Sequence, residues 1–148
     1  MSSNPSSKDK VGVIGAGSFG TVFANLLAKN RPVVLYARRP EEAERLQRER
    51  TYRSWTLEES VEVVNDPAYL AGECELIFPV VPSQSFRKML QVFSPHLHPS
   101  HKMLHATKGL EIQFREGQEL ENLESLRREQ VLTMSELITQ ETSVLRVG

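Results

Sequence analysis

Apolar residues along this chain fall into two patterns: compact blocks of β-favouring side chains, and longer stretches in which they recur every three or four positions. Val11 to Ile14 follows Lys10 and ends in glycines, the pattern of a buried strand feeding a tight turn. From Phe19 the period changes. Phe19, Val22, Phe23, Leu26 and Leu27 form a helical stripe, predicting a helix that buries this face and stops near Asn30. Pro32 to Ala37 predicts a second strand, and Pro40 with Glu41 and Glu42 gives start chemistry for a helix reaching about Arg50. Val61 to Val64 predicts a third strand, after which Asp66 and Pro67 open a short helix toward Gly72. Leu76 to Val81 is the most apolar block. Pro79 inside it predicts an edge strand or a bulge, because proline cannot donate to a ladder.

Ser83 is expected to cap a helix through about Phe93, and Met103 to Ala106 to form a fifth strand. Val131, Met134, Leu137 and Ile138 stripe a later helix, and Val144 to Val147 suggests a sixth strand. Between them, Glu111 to Gln130 is so charged and polar that it reads as a surface excursion. Short apolar strands alternating with helices predict an α/β fold: a doubly wound, mainly parallel sheet with helices on both faces. Residues 1–9 are polar and read as a flexible tail, leaving 10–148 as one domain.

The composition supports a single globular unit, with 148 residues, 39% of them hydrophobic and 25% charged. With 18 Lys plus Arg against 19 Asp plus Glu, the chain has no global field for a polyanion, which argues against a nucleic-acid partner. Cys74 is the only cysteine, so no internal disulfide can form; it reads as a small core residue and points to a reducing, cytoplasmic compartment. No run approaches the ~18 apolar residues of a membrane span, and the start lacks a secretory signal. His96, His98 and His101 have no carboxylate near in sequence to complete a metal set, so no metal is expected. Tyr52, Trp55 and Tyr69 read as packing residues.

The chemistry concentrates in Gly15-Ala16-Gly17-Ser18-Phe19-Gly20, a GxGxxG between a predicted strand and a predicted helix. In that context Gly15 permits the tight turn, Gly17 leaves room for a pyrophosphate and Gly20 lets helix and strand approach. The phosphates would then meet free N–H groups at the helix start. An acidic residue at the end of the second strand would hold the ribose 2′-hydroxyl of NAD, but Arg38 and Arg39 stand there. Two guanidiniums suit a 2′-phosphate, so NADP is favoured and NAD stays possible. The alternative is that both are solvated turn residues paired with Glu41 and Glu42. Lys108, after the fifth strand, and Pro82, after the fourth, should share the carboxyl edge where ligands of such sheets bind.

Four strings, GAGSFGT at 15–21, VPSQSFR at 81–87, ATKGLE at 106–111 and MSELI at 134–138, occur in an order and at spacings that resemble the nicotinamide-dependent glycerol-3-phosphate dehydrogenases. The resemblance spans Lys10 to about Val147 and implies a Rossmann-type cofactor domain of an oxidoreductase. That enzyme interconverts dihydroxyacetone phosphate and sn-glycerol 3-phosphate in phospholipid synthesis. Carried over residue by residue, it implies cofactor contacts from Ser18, Phe19, Arg38, Arg39, Pro82 and Phe86, and contacts to both cofactor and substrate from Lys108. It implies a homodimeric parent and a proton donor beyond Gly148, in a helical second domain that has no counterpart in residues 1–148, so that this chain alone would be inactive. Near the predicted carboxyl edge, His105 is the one residue whose ordinary pKa suits a proton donor. The chain departs from the family at His105, at Pro79, across Arg50 to Glu59 and in the length of its excursion near 116–130. Two other readings stay open: another two-domain reductase on the same fold, or a regulatory domain that senses dinucleotide without turnover.

Overall fold

The computed structural model describes residues 9–122 and 124–148. In chain order, β1 (Lys10–Ile14) leads into α1 (Ser18–Ala28), and β2 (Val33–Tyr36) into α2 (Pro40–Glu49). A small hairpin of β3 (Thr51–Tyr52) and β4 (Trp55–Thr56) precedes β5 (Val61–Val64) and α3 (Pro67–Glu73). Then come β6 (Cys74–Pro79), α4 (Ser83–Phe93), β7 (Lys102–Met103), β8 (Leu110–Ile112), β9 (Val131–Thr133), α5 (Met134–Glu141) and β10 (Arg146–Val147). Apart from Asp9, the expected tail lies outside the described residues.

The main sheet has six strands in the order β10-β7-β6-β1-β2-β5, and every neighbouring pair is parallel. Period-two alternation divides the core. Val34 and Tyr36 of β2 join a cluster holding Leu70 of α3, Phe86, Leu90 and Phe93 of α4, and Leu137 and Ile138 of α5. Val33 and Leu35 face the opposite way, into a cluster with Ala24 of α1 and Ala43 and Leu46 of α2. Helices thus cover both faces, the doubly wound Rossmann-type arrangement expected from the sequence. From β1 the chain winds outward through β2 to β5, then returns to place β6 on the other side of β1. The crevice between β1 and β6 is therefore the topological switch point, where such sheets take ligands.

Local chemistry explains most boundaries. Asp66 caps α3, its carboxylate accepting from the backbone N–H groups of Ala68 and Tyr69 at 2.9 and 3.1 Å. Thr133 and Glu136 form a reciprocal capping box on α5. Four expectations need correction. Ser83 is the first residue of α4, and Pro82 occupies the cap position without a side-chain bond. Pro79 lies in a central strand: it is the last residue of β6, so its missing donor falls where the ladder is ending, and its carbonyl still accepts from Ala106 at 3.3 Å. The buried face of α1 is Gly20, Thr21 and Ala24, rather than the stripe of large residues, and Phe19, Val22 and Leu26 are exposed. Close approach of the glycine turn presses the small side chains of α1 against the sheet and turns Phe19, Val22 and Leu26 outward, while Phe23 and Leu27 stay partly buried against the core. Trp55 is 51% exposed on its hairpin, whereas Tyr52 and Tyr69 pack against the core.

The polar excursion has a structured neck. β8 and β9 pair antiparallel through Leu110–Thr133, Glu111–Leu132 and Ile112–Val131. Arg87 of α4 ties this neck to the body, its Nε donating to Glu111 at 2.8 Å while the same guanidinium bonds to Glu141 at the end of α5.

Cys74 is buried without a disulfide partner, and burial pushes its thiol up to about 12. The folded state holds the neutral thiol while the unfolded chain ionises near pH ~8.5. The stability from this source is complete below that pH and drains away as the pH rises toward about 12. A disulfide reagent at pH 8 is therefore expected to label Cys74 only as fast as the protein opens, with full labelling in denaturant. Rapid labelling of the folded chain would contradict this burial.

Candidate functional site

Four turns meet at the carboxyl edge of the central strands. Those after β1 and β2 are joined by the Gly15 N–H, which donates to the Tyr36 carbonyl at 3.1 Å, and those after β1 and β6 by the Val80 N–H to Ile14 at 2.9 Å. The loop after β7 is tied to the turn after β6 through the Thr107 hydroxyl, which donates to Val81 at 2.7 Å. A Cβ on Gly109, whose φ is +145°, would lie 2.7 Å from that of Ser83. Gly15, Gly17, Ser18, Phe19, Gly20, Arg38, Arg39, Pro82 and Lys108 are all gathered on these turns.

The three glycines of the first turn have different reasons to be glycine. Gly15 has φ +120°, a left-handed conformation that L side chains avoid. A Cβ on Gly20 would run into the carbonyl oxygen of Gly15 and meet Val80 at 3.0 Å. Gly17 is unlike either: its φ of −75° suits any residue, and a Cβ there would meet nothing within 4 Å. The fold does not require a glycine at 17. The open space above it lies at the start of α1, where the cap position supplies no side-chain bond to the first N–H groups, an arrangement suited to a pyrophosphate.

The cations are disposed differently. Arg39 lies 3.6 Å from Glu42, the pairing expected of an ordinary turn residue. Arg38 is exposed and, among the described residues, makes no ion pair; its charge is felt by Tyr36, whose hydroxyl burial pushes above the usual range while Arg38 pulls it back. Lys108 is likewise exposed and, among the described residues, has no carboxylate partner. Ser18 and Pro82 are exposed, and Phe19 is 57% exposed with its ring stacked on Phe23 at 5.7 Å. Phe86 stands apart. It is wholly buried in the core and meets the ring of His105 edge-on at 5.9 Å, so it supports the turn from beneath and offers no ring face to a ligand. His105 in turn has its Nε2 3.1 Å from the Ser135 hydroxyl and its Nδ1 buried with no hydrogen-bond partner among the described residues.

Gly148, the residue beyond which the proton donor is expected, supplies only backbone and stands apart from the glycine turn. It prolongs the pairing of β10 with β7: its N–H donates to the Met103 carbonyl at 3.0 Å, and its carbonyl accepts from the His105 N–H at 2.9 Å. Gly148 therefore helps to hold the backbone of His105 at the sheet edge.

The other histidines form a separate structure. His101 is buried; its Nδ1 accepts from the His98 N–H at 2.8 Å, which leaves Nε2 as the protonated nitrogen, donating to Ala71 at 2.8 Å. Both nitrogens are thus occupied, Nδ1 within the loop before β7 and Nε2 in tying that loop to α3. Among the described residues no group of His, Cys, Asp and Glu is placed to hold a metal. A cavity of about 430 Å³ bordered by Glu73, Cys74, His96 and His98 opens at the amino edge of the sheet, away from the glycine turn.

Residues 10–145 match the family described as the NAD-dependent glycerol-3-phosphate dehydrogenase N-terminus. The chain belongs to this family. Among its relatives, the glycerol-3-phosphate dehydrogenase [NAD(P)+] of Teredinibacter turnerae is 31% identical over 144 residues, covering 94% of this chain and 38% of the relative. That of Azotobacter vinelandii is 41% identical over 111 residues, covering 72% of this chain and 32% of the relative. The chain therefore spans about a third of the length of these relatives. The glycerol-3-phosphate dehydrogenase of Coxiella burnetii superposes with a TM-score of 0.71 at 21% identity, over 95% of this chain and 39% of that one. The yeast Saccharomyces cerevisiae enzyme gives 0.72 at 19% identity, over 95% and 41%. At such identities these structures bear on the fold alone. Among the described residues no helix is long and apolar enough to cross a membrane.

Two residues outside the sequence prediction complete the site's supports. Thr107 ties the Lys108 loop to the turn after β6. Asn65 bonds the turn that carries Arg38, a role whose one sequence signal is an amide directly after a predicted strand.

Proposed function

We propose that this chain binds a nicotinamide dinucleotide across the switch point, NADPH in preference to NADH. It would serve as the cofactor domain of a cytoplasmic oxidoreductase that interconverts dihydroxyacetone phosphate and sn-glycerol 3-phosphate. The observation that carries this reading is Gly17, a glycine that the fold does not require and that fronts open space at a helix start. The cofactor, when bound, supplies the hydride. The first turn of α1 binds the pyrophosphate through backbone N–H groups, and the exposed Phe19 ring borders that position. Arg38, which has no carboxylate partner among the described residues, pairs with the 2′-phosphate; Arg39 contributes less, because Glu42 already claims it. Lys108 holds the anionic substrate at the same edge, and Pro82 borders the cofactor. Support for a proton donor beyond Gly148 comes from His105, whose Nε2 is engaged by Ser135 and whose Nδ1 is enclosed. The parent enzyme would be a homodimer.

Calorimetric titration is expected to give at least about tenfold tighter binding of NADPH than NADH, since charge-assisted bonds to a phosphate contribute roughly 1.5–3 kcal/mol. Arg38→Ala should erase that ratio. Equal affinities in the wild type would reduce the arginines to solvated charges. The same chain mixed with NADPH and dihydroxyacetone phosphate should show no loss of NADPH absorbance. Turnover would mean that the proton donor lies among these residues, with His105 first to test.

A further inference from the structure

The β2–β5 ladder ends with Tyr36 opposite Val64 and one last bond, from the Ala37 N–H to the Val64 carbonyl at 2.9 Å. The next two carbonyls, those of Ala37 and Arg38, accept from a side chain. Asn65 Nδ2 donates to Ala37 at 2.7 Å and to Arg38 at 2.8 Å. Two carbonyls facing one amide leave only its NH₂ end as a partner, so the orientation of the amide is fixed and both its protons are used. Asn65 is itself held in place, because Asp66, the next residue, is locked as the cap of α3. Across the turn, the Arg39 carbonyl accepts from Glu42 and Ala43 at 3.1 and 3.0 Å. Arg38 therefore sits on a short bridge clamped on one side by the start of α2 and on the other by a single amide.

We propose that Asn65 is a positioning residue for cofactor selection: by gripping the Ala37 and Arg38 carbonyls it presents Arg38 in the geometry that engages a 2′-phosphate. This rests on the reading of Arg38 given above. Asn65 would touch neither the phosphate nor the nicotinamide. A guanidinium pairs with phosphate through a planar fork, so its benefit depends on where the backbone carries it. Without the amide, water can satisfy the two carbonyls at this half-buried edge, and the fold survives with a looser bridge. The loss would fall on NADPH, whose extra phosphate Arg38 holds, and spare NADH.

The test is a double-mutant cycle on the 148-residue chain, comparing wild type, Asn65→Ala, Arg38→Ala and the double variant. Dissociation constants for NADPH and NADH are measured by calorimetry alongside thermal melts. Asn65→Ala should weaken NADPH about five- to tenfold, the scale of one or two net hydrogen bonds, while NADH stays within about twofold. In the Arg38→Ala background the same substitution should cost nothing further, since the two residues act through one contact. Equal weakening of both cofactors would make Asn65 a general structural support and overturn the proposal, as would full additivity with Arg38→Ala. If the wild type prefers NADPH and Arg38→Ala abolishes that preference but Asn65→Ala keeps it, the role of Asn65 fails alone. If the wild type does not discriminate, the role of Arg38 fails and this proposal falls with it.

Discussion

Gly17→Val is expected to leave a folded protein with no measurable affinity for the dinucleotide. The protein has room for the new side chain: a Cβ at 17 meets nothing within 4 Å, and an extended backbone with φ −75° and ψ −171° is one that β-branched residues favour. Losing glycine at the cap of α1 costs at most about 1 kcal/mol. The isopropyl group would project into the space proposed for the pyrophosphate, where it keeps the phosphates away from the N–H groups. A loss of more than about a hundredfold, ~2.7 kcal/mol, is expected. Circular dichroism and a thermal melt report the fold, and titration with NADPH reports the site. A folded variant with undiminished affinity would remove the glycine turn from the function.

Gly20→Ala, three residues on, should do the opposite and strike the fold itself. Its Cβ would collide with the carbonyl oxygen of Gly15, a backbone atom that cannot swing aside because the Gly15 N–H is bonded to Tyr36. The whole start of α1 must lift from the sheet. Ordinary overpacking costs about 1–3 kcal/mol when side chains can yield; here backbone must move, so the cost should reach or exceed the top of that range. Against a total stability of roughly 5–15 kcal/mol this is enough to lower the melting point by about ten degrees or more. A Gly20→Ala protein melting with the wild type would show that the turn is softer than its geometry implies. The pair separates one motif into a position kept for a ligand and a position kept for packing.

That separation could be anticipated from the sequence only in part. The turn itself was legible because GxGxxG is local chemistry set between a β-branched block and a helical period. The six parallel strands were legible for the same reason, though β7 and β10 are shorter than the apolar blocks at 103–106 and 144–147 suggest. The face of α1 was legible only in part: of the apolar stripe Phe23 and Leu27 pack against the core, but Phe19, Val22 and Leu26 are exposed, because contact distance at Gly20 decides the rotation, and distance is a tertiary property. Pro79 misled because a proline's effect depends on whether it falls within a strand or at its last residue. Phe86 sits in the same string as Pro82, yet Pro82 is exposed at the cap position of α4 while Phe86 lies inside the helix and is wholly buried. Asn65 lies far in sequence from Arg38, and only the adjacency of β2 and β5 brings the amide to the turn. Nothing in the polar stretch before Val131 signals that β9 returns to pair with β8.

That neck also governs how the chain can vary. Because β8 and β9 hold their own ends together, the segment between them behaves as an appended loop whose closure has already been made. The Gln113 N–H donates to Gln130 at 2.7 Å, and the Gln130 side chain reaches Gln118 at 2.9 Å, closing the base a second time. Loop entropy grows only with the logarithm of length, so doubling the segment costs about 0.6 kcal/mol. Lys108 lies just before the neck and α5 begins just after it, so neither would register a change in what the neck encloses. The excursion is thus a natural port for grafting: a reporter or a whole foreign domain spliced beyond Gln118 should travel with the protein and leave the fold of the sheet and its glycine turn intact.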